Sequence, residues 1–445
     1  MSKLESHPTV RAVRKRLGQP VPMPATLDAA ELKRLCLEFG ADDVGIVELG
    51  RPALADQRDD ILRYVPWTRS LLTFVCRMNR EPVRSPARSV ANLEFHQVGE
   101  QVDEVARRIV EAMERRGIRA LNPAMAFPME MQRFPGKMWL VSHKPVAVAA
   151  GLGRMGIHRN LIHPKFGNFV LLGTVLLDAE ASRYDRPIDF NPCLECRLCV
   201  AACPVGAIGS DGYFDFSACY NHNYREFMGG FVDWTDALVE SRNRSAYHDK
   251  VNRAETASVW QSLTYGANYK AAYCMAVCPA GENVIGQWLL NKAGFAAETL
   301  RPLQNRQETV YVIPGSDAQD HVQGKFPHKT PRLVRGSLAP QTIEDFLSYL
   351  PLQFQRGKAK GLKAVYHFTF VGNERRQATV TICDQTLRIE DGCVGRCDLH
   401  VKANSRTWLR FLNRQQNLAL ALLTFRIRLR GSPLWLIRFG KCFPN

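Results

Sequence analysis

Four cysteines within eleven residues constrain this chain more than any other feature. The stretch NPCLECRLCVAACPVGAI sets Cys193, Cys196, Cys199 and Cys203 at C-x2-C-x2-C-x3-C, with Pro204 directly after the last. That spacing lets three thiolates wrap one iron–sulfur cubane while turn amides point at its sulfurs, and in two-cluster proteins the fourth cysteine turns to the other cluster. Structural zinc sites instead pair C-x2-C units across a wider gap. A truncated copy follows at YKAAYCMAVCPAG, where Cys274 and Cys278-Pro279 keep the C-x3-C-P ending but Ala271 stands where a further cysteine belongs. Crossed ligation therefore predicts one complete set, Cys193, Cys196, Cys199 and Cys278, and a second set of Cys203, Cys274 and the distant Cys219. With three thiolates the second cluster is either three-iron or four-iron, completed by a non-cysteine ligand such as His222 or by a sulfur from elsewhere.

Compartment follows from what surrounds these cysteines. No uninterrupted apolar run is long enough to cross a bilayer, and MSKLESHPTVRAVRKRLGQP carries neither a secretory h-region nor a twin-arginine signal, so a cytoplasmic location is expected. In a reducing compartment, thirteen cysteines, seven of them between 193 and 278, point to metal or redox chemistry rather than a disulfide framework. The net charge of +16 is uneven: residues 321–445 hold 21 Lys and Arg against 7 Asp and Glu. Such a surplus attracts nucleic acid, an anionic membrane surface or an acidic partner, or simply forms a solvated basic face.

The pattern along the chain is that of a multidomain α/β and α+β protein. A basic tail (1–24) precedes an α/β domain (25–185), an iron–sulfur domain with a helical insert (186–290), a connector without strong periodicity (291–335) and an α+β module (336–445). LDAAELKRLCLEFG reads as a helix capped by Asp28 and stopped by Gly40, followed by a strand in DDVGIVEL. SLLTFVCRM reads as a strand, residues 92–117 as a helix, and FVLLGTVLLD as a buried central strand. In the last module the strands come in quick succession, and FRIRLR alternates Phe425, Ile427 and Leu429 with three arginines.

With these motifs in hand, the chain resembles the cobalamin-dependent, ferredoxin-fused reductases, namely the epoxyqueuosine reductases and reductive dehalogenases. The resemblance runs from about residue 27 to 290 and rests on GADDVGIVEL, on AAGLGRMGIHRNLIHPKFGNFVLLGTVLLD and on the two cysteine motifs. It implies a nitroreductase-like corrinoid-binding α/β domain beside a ferredoxin-like two-cluster domain, with cobalamin bound base-off and fed by an external low-potential donor such as ferredoxin or flavodoxin. Gly151, Gly153 and Gly156 also fit G-x-G-x-x-G, but Pro164 and Gly167 break the helix that a dinucleotide site requires. The resemblance instead places this segment in the corrinoid pocket, small residues letting the backbone approach the ring. Gly151, Gly153, Gly156, Asn160, His163, Pro164, Gly167 and Asn168 are the cofactor candidates.

Reductive cleavage also wants a proton donor. Where epoxyqueuosine reductases carry an aspartate, the ungapped match gives Lys137, and His143 and Lys144 are expected to face the same region, with His96 and Glu130 as further options. The C-terminal module is similar to the sterol carrier protein type 2-like fold, which encloses an apolar groove. Epoxyqueuosine reductases end in helical repeats that help grip tRNA, so the replacement makes tRNA an unlikely partner. An apolar or amphipathic small-molecule substrate is expected, the module presenting it to the cobalt site or serving for dimerisation. Cys383, Cys393, Cys397 and His400 fall on predicted strands and turns and are expected to pack rather than to bind zinc. The overall expectation is a reductase that cleaves a carbon–heteroatom bond, the alternatives being a non-catalytic iron–sulfur carrier with a lipid-binding module and an enzyme of tRNA modification.

Overall fold

The structure is a computed structural model that describes residues 4–16, 26–134, 136–189, 191–193 and 195–444. Of the basic tail, α1 (Pro8–Arg16) is helical, and residues 1–3 and 17–24 lie outside the described residues. Helix α2 (Ala29–Glu38) begins where the Asp28 carboxylate accepts from the Glu31 N–H, satisfying an N-terminal amide that has no helical acceptor. The chain then forms β1 (Asp43–Glu48), β2 (Ser70–Arg77), α3 (Arg88–Glu114), β3 (Ala120–Leu121), α4 (His143–Ala149) and β4 (Val170–Leu177). The strands pair antiparallel in the order β1-β2-β4-β3.

Both faces of this sheet are covered, because apolar residues occupy both phases of the strand period. Leu72, Phe74, Val175 and Leu177 share a core with Val98, Val102, Val105, Ile109 and Met113, the i, i+3, i+4 stripe of α3. Leu71, Val75, Leu172 and Leu176 pack on the other side against Val146, Ala147, Ala149 and Ala150 of α4 and its end. Strand β4 is thus buried on both faces, as its continuous apolar run predicts.

The cysteine-rich region carries α5 (Leu198–Ala202), α6 (Phe216–Asn223) and α7 (Tyr273–Ala276), with three further helices between Gly229 and Tyr265. The stretch read as a plain connector is structured instead: β5 (Thr309–Val312), α8 (Asp317–Lys325) and β6 (Thr330–Leu333) form a parallel β-α-β unit. Val310, Val312, Ala318 and Val322 join the main core. Its strands are too short to show a period, and its ordering depends on burial that the local sequence does not display.

The last module begins with α9 (Ile343–Gln353), whose Thr342 and Asp345 form a reciprocal capping box. Strands β7 (Lys363–Val371), β8 (Arg376–Cys383), β9 (Thr386–Asp391), β10 (Leu399–Asn404) and β11 (Ile427–Gly431) make one sheet in the order β9-β8-β7-β10-β11. The β7–β10 pair is parallel and the rest antiparallel. Helices α10 (Ser405–Leu412) and α11 (Leu434–Cys442) flank it, and its inner face is filled by aromatics, with Tyr366, Phe368 and Phe370 against Phe346, Trp408 and Phe439. Phe425 departs from the expected alternation. It is 70% exposed at φ +54°, a turn residue before β11, while Ile427 is buried.

Candidate metal centre

Two left-handed residues, Glu195 and Arg197, curl the first motif between Cys193 and the start of α5, which carries Cys199 and ends at Cys203. The Ile157 N–H donates to Cys193 Sγ at 3.4 Å, and the Ala280 N–H is directed at Cys278. Burial raises the Cys196 thiol, pushes Cys278 up to about 12, and raises Cys199 further; Cys193 adds to the shift of Cys196, Cys196 and Cys193 to that of Cys278, and Cys274, Cys278, Cys196 and Cys193 to that of Cys199. Crossed ligation would give Cys193, Cys196, Cys199 and Cys278 to the first cluster.

Cys203, Cys219 and Cys274 form the second group. Burial holds Cys219 well above the ordinary thiol range, with Cys203 and Cys274 adding to the effect, and pushes Cys274 up to about 11. The Ala207 N–H donates to Cys203 Sγ at 3.3 Å. Cys219 rides on α6, whose first turn is fixed by the Asp215 carboxylate accepting from the Ala218 N–H at 2.9 Å. The second motif repeats the backbone of the first: a left-handed residue, Ala272 at φ +55° against Arg197 at +53°, precedes a short helix in each. Thiols this desolvated ionise only beside a cation, which is the role iron plays in a cluster. Among the described residues no three His, Cys, Asp or Glu side chains converge on a single ion. A cubane makes no such demand, since each thiolate caps a different iron, whereas zinc at Cys383, Cys393, Cys397 and His400 would; the latter histidine meets Thr369 Oγ1 at 2.9 Å instead.

Lys144 lies beside the second thiol group, where desolvation lowers its pKa and Cys274 and Cys219 oppose the shift. Half-buried Tyr224 and Tyr269 behave likewise, their phenols raised by burial. Lys144 Nζ donates to the Arg159 carbonyl at 2.8 Å and to Asn160 Oδ1 at 3.0 Å, and Asn160 Nδ2 lies 3.8 Å from Cys274 Sγ. Behind them His158 accepts from the Asn160 N–H at Nδ1 and meets the Asn168 side-chain amide at Nε2, and burial lowers its pKa to about 4.

Several expected site residues lie elsewhere. His143 is a satisfied core histidine: Nδ1 meets Thr174 Oγ1 at 2.9 Å and Nε2 the Ala124 carbonyl at 3.1 Å, so neither nitrogen is free to serve as an acid. Lys137 is paired with Asp60 at 2.8 Å in a small surface dent that Glu130 also lines. His96 Nε2 is engaged with the Ala267 carbonyl. His163 is saturated by Asp43 and by the Lys165 and Phe166 N–H groups.

The small size of the glycines is also explained by the protein rather than by a ring. A Cβ on Gly151 would reach the Arg186 carbonyl at 2.4 Å, one on Gly153 the Ile162 carbonyl at 2.4 Å, and one on Gly156 the His158 ring. On Gly167 it would reach the Ala280 carbonyl at 2.0 Å. Around it, the Pro164 and Lys165 carbonyls accept from the Glu282 and Asn283 N–H groups at 2.9 and 3.0 Å. The 163–168 loop therefore docks the α/β domain onto the segment after Cys278. Of the cofactor candidates, Asn160 contacts both Lys144 and Cys274. Sequence reasoning missed Tyr224 and Tyr269, whose aromatic setting in the insert gives no signal until the chain folds.

The family described as a 4Fe-4S binding domain matches residues 186–209, and the chain carries an iron–sulfur site there. The chain is similar to epoxyqueuosine reductases. That of Cellulophaga algicola is 34% identical over 102 residues, 21% of this chain and 33% of the relative. That of Bacillus anthracis is 33% identical over 144 residues, 32% of this chain and 30% of the relative. The chain thus spans about a third of the length of these relatives. Among solved structures, a catabolic reductive dehalogenase matches at 22% identity and TM-score 0.34, over 43% of this chain and 27% of its own. Epoxyqueuosine reductase from Streptococcus thermophilus matches at 16% and 0.31, over 42% and 54%. Among the described residues no helix is long and apolar enough to cross a membrane.

Proposed function

We propose that this chain is a cobalamin-dependent iron–sulfur reductase that cleaves the carbon–oxygen bond of an epoxide-bearing nucleoside carried on tRNA. The observation that carries the reading is the polar cluster beside the second thiol group: a desolvated lysine hydrogen-bonded to Asn160, which itself contacts a thiol of that group. A corrinoid held there with its base detached would supply a low-potential metal for two-electron chemistry. Lys144 would hold the proton delivered to the departing oxygen, its lowered pKa easing release, and Tyr224 and Tyr269 would restrict water. Electrons would enter from an external low-potential carrier.

The similarity to epoxyqueuosine reductases favours a tRNA substrate over the expectation that tRNA is an unlikely partner. A different C-terminal module still brings a surplus of 14 positive charges in the last 125 residues to meet phosphates. A second reading, delivery of an amphipathic small molecule by a sterol-carrier-like module, is favoured by exposed Leu420, Leu423, Phe425, Leu434 and Ile437. The test uses the full chain reconstituted with iron, sulfide and hydroxocobalamin. Stoichiometric corrinoid uptake, tRNA affinity that falls steeply with salt, and turnover of epoxyqueuosine-containing tRNA are expected. Uptake without tRNA affinity or turnover moves the substrate to the second reading, and no uptake leaves a plain electron carrier.

A further inference from the structure

We propose that the second iron–sulfur site is held by three protein thiolates alone and carries a three-iron cluster whose fourth corner faces Ala271. The inference rests on the iron–sulfur part of the functional reading, and not on the corrinoid or the substrate. Positions 271, 274 and 278 repeat the register of Cys196, Cys199 and Cys203. The backbone is held in the same ligating turn, with Asn223 Oδ1 accepting from the N–H groups of both Ala271 and Ala272 at 3.0 and 3.1 Å. The loop is thus preformed for a ligand that Ala271, 6% exposed and lacking a donor atom, does not supply.

The nitrogen-bearing side chains that could replace the missing thiolate face other partners. His222 turns its ring toward the Tyr311 N–H, which Nδ1 accepts at 3.4 Å, and the charged groups acting on it are Glu308, Lys270, Lys329 and Arg306 rather than thiols. Its pKa is lowered to about 4 by burial, which keeps it neutral. Lys144, protonated, donates to Arg159 and Asn160 and offers no lone pair either, and Asn160 turns its amide nitrogen rather than its oxygen toward Cys274. The remaining cysteines are remote: Cys36 and Cys76 lie in the core of the α/β domain, and Cys383, Cys393, Cys397 and Cys442 in the last module. With one iron lacking a protein donor, the three-iron form is the one whose irons are all ligated by the chain.

Iron counting and EPR of the full chain, reconstituted anaerobically without cobalamin, separate this from the alternatives. The wild type is expected to hold about seven irons, and when oxidised to give a signal near the free-electron value integrating to about one spin per chain, since an oxidised three-iron cluster is paramagnetic and an oxidised four-iron cluster is not. Ala271→Cys is expected to raise the content to about eight irons and abolish that signal, while Ala271→Gly leaves it intact. A wild type with about eight irons and no oxidised signal overturns the inference and moves the fourth ligand to His222 or Tyr224, whatever becomes of Ala271→Cys. A chain that takes up no iron overturns the cluster reading itself, so the two failures are told apart.

Discussion

Gly167→Ala tests whether the 163–168 loop is a docking surface or a corrin contact. Gly167 has φ +67°, and a Cβ there would lie 2.0 Å from the Ala280 carbonyl oxygen and 3.1 Å from its carbon. The left-handed conformation alone costs an alanine roughly 1–2 kcal/mol. The overlap adds about 1–3 kcal/mol as the loops separate. The neighbouring segment has little room to yield, because Gly281 packs back on Gly167 and two loop-to-loop hydrogen bonds flank the contact. A total of about 2–5 kcal/mol corresponds to a fall in melting temperature of roughly 5–15 °C for a unit of this size. Thermal unfolding of the cofactor-free chain, followed by circular dichroism, measures it. A variant that melts within a degree of wild type while losing corrinoid uptake would refute the packing argument and return Gly167 to the cofactor.

Further outcomes follow from single side chains. Cys278→Ser should remove about four irons per chain and leave those of the second site, counted colorimetrically after reconstitution, because crossed ligation makes Cys278 the remote thiolate of the first cluster. His158 has its folded pKa lowered to about 4 against an ordinary 6.5, so the unfolded chain binds the proton first as pH falls. Stability should therefore be flat above pH 6.5 and decline toward pH 4, by at most about 3 kcal/mol from this group, and urea midpoints of His158→Gln across that window should show a shallower decline. Lys329 is 3% exposed, with Nζ donating to Glu308 at 2.7 Å and to the Leu303 and Arg306 carbonyls. Lys329→Met should cost about 3 kcal/mol in urea unfolding, since it leaves the buried Glu308 and two carbonyls short of a donor.

What could be read from the sequence divides by the range of the forces involved. The cysteine sets were legible because ligation fixes spacing: a thiolate cage tolerates few intervals, and the 271/274/278 register betrays a second loop even with one ligand gone. Helices and strands of the α/β domain were legible where periodicity was long, as in α3 and β4. The proton-donor assignment was not. His143 and Lys144 are adjacent at the start of α4, and one residue of helix rotation, about 100°, sends the first into Thr174 and the second toward Arg159 and Asn160 beside the second thiol group. The glycines misled for a related reason. A glycine signals close approach without saying to what, and here the approaching group is the carbonyl of Arg186 or Ala280, far along the chain.

The crossed pattern also dictates where electrons can travel. Cys199 and Cys203 are joined by α5, and Cys274 and Cys278 by α7, so each short helix gives one thiol to each group. Four residues of helix rise by roughly 6 Å, so two such bridges hold the two clusters at a separation that neither domain movement nor loop motion can widen. Lys144 and Asn160 couple to the second group, through Cys219 and Cys274, while Ile157 and Ala280 donate to Cys193 and Cys278 of the first. Under the proposed function, an electron arriving at the first cluster would pass through the second before reaching Lys144 and Asn160. Since each cluster passes electrons one at a time, a two-electron cleavage would need a further redox group to hold the first of them.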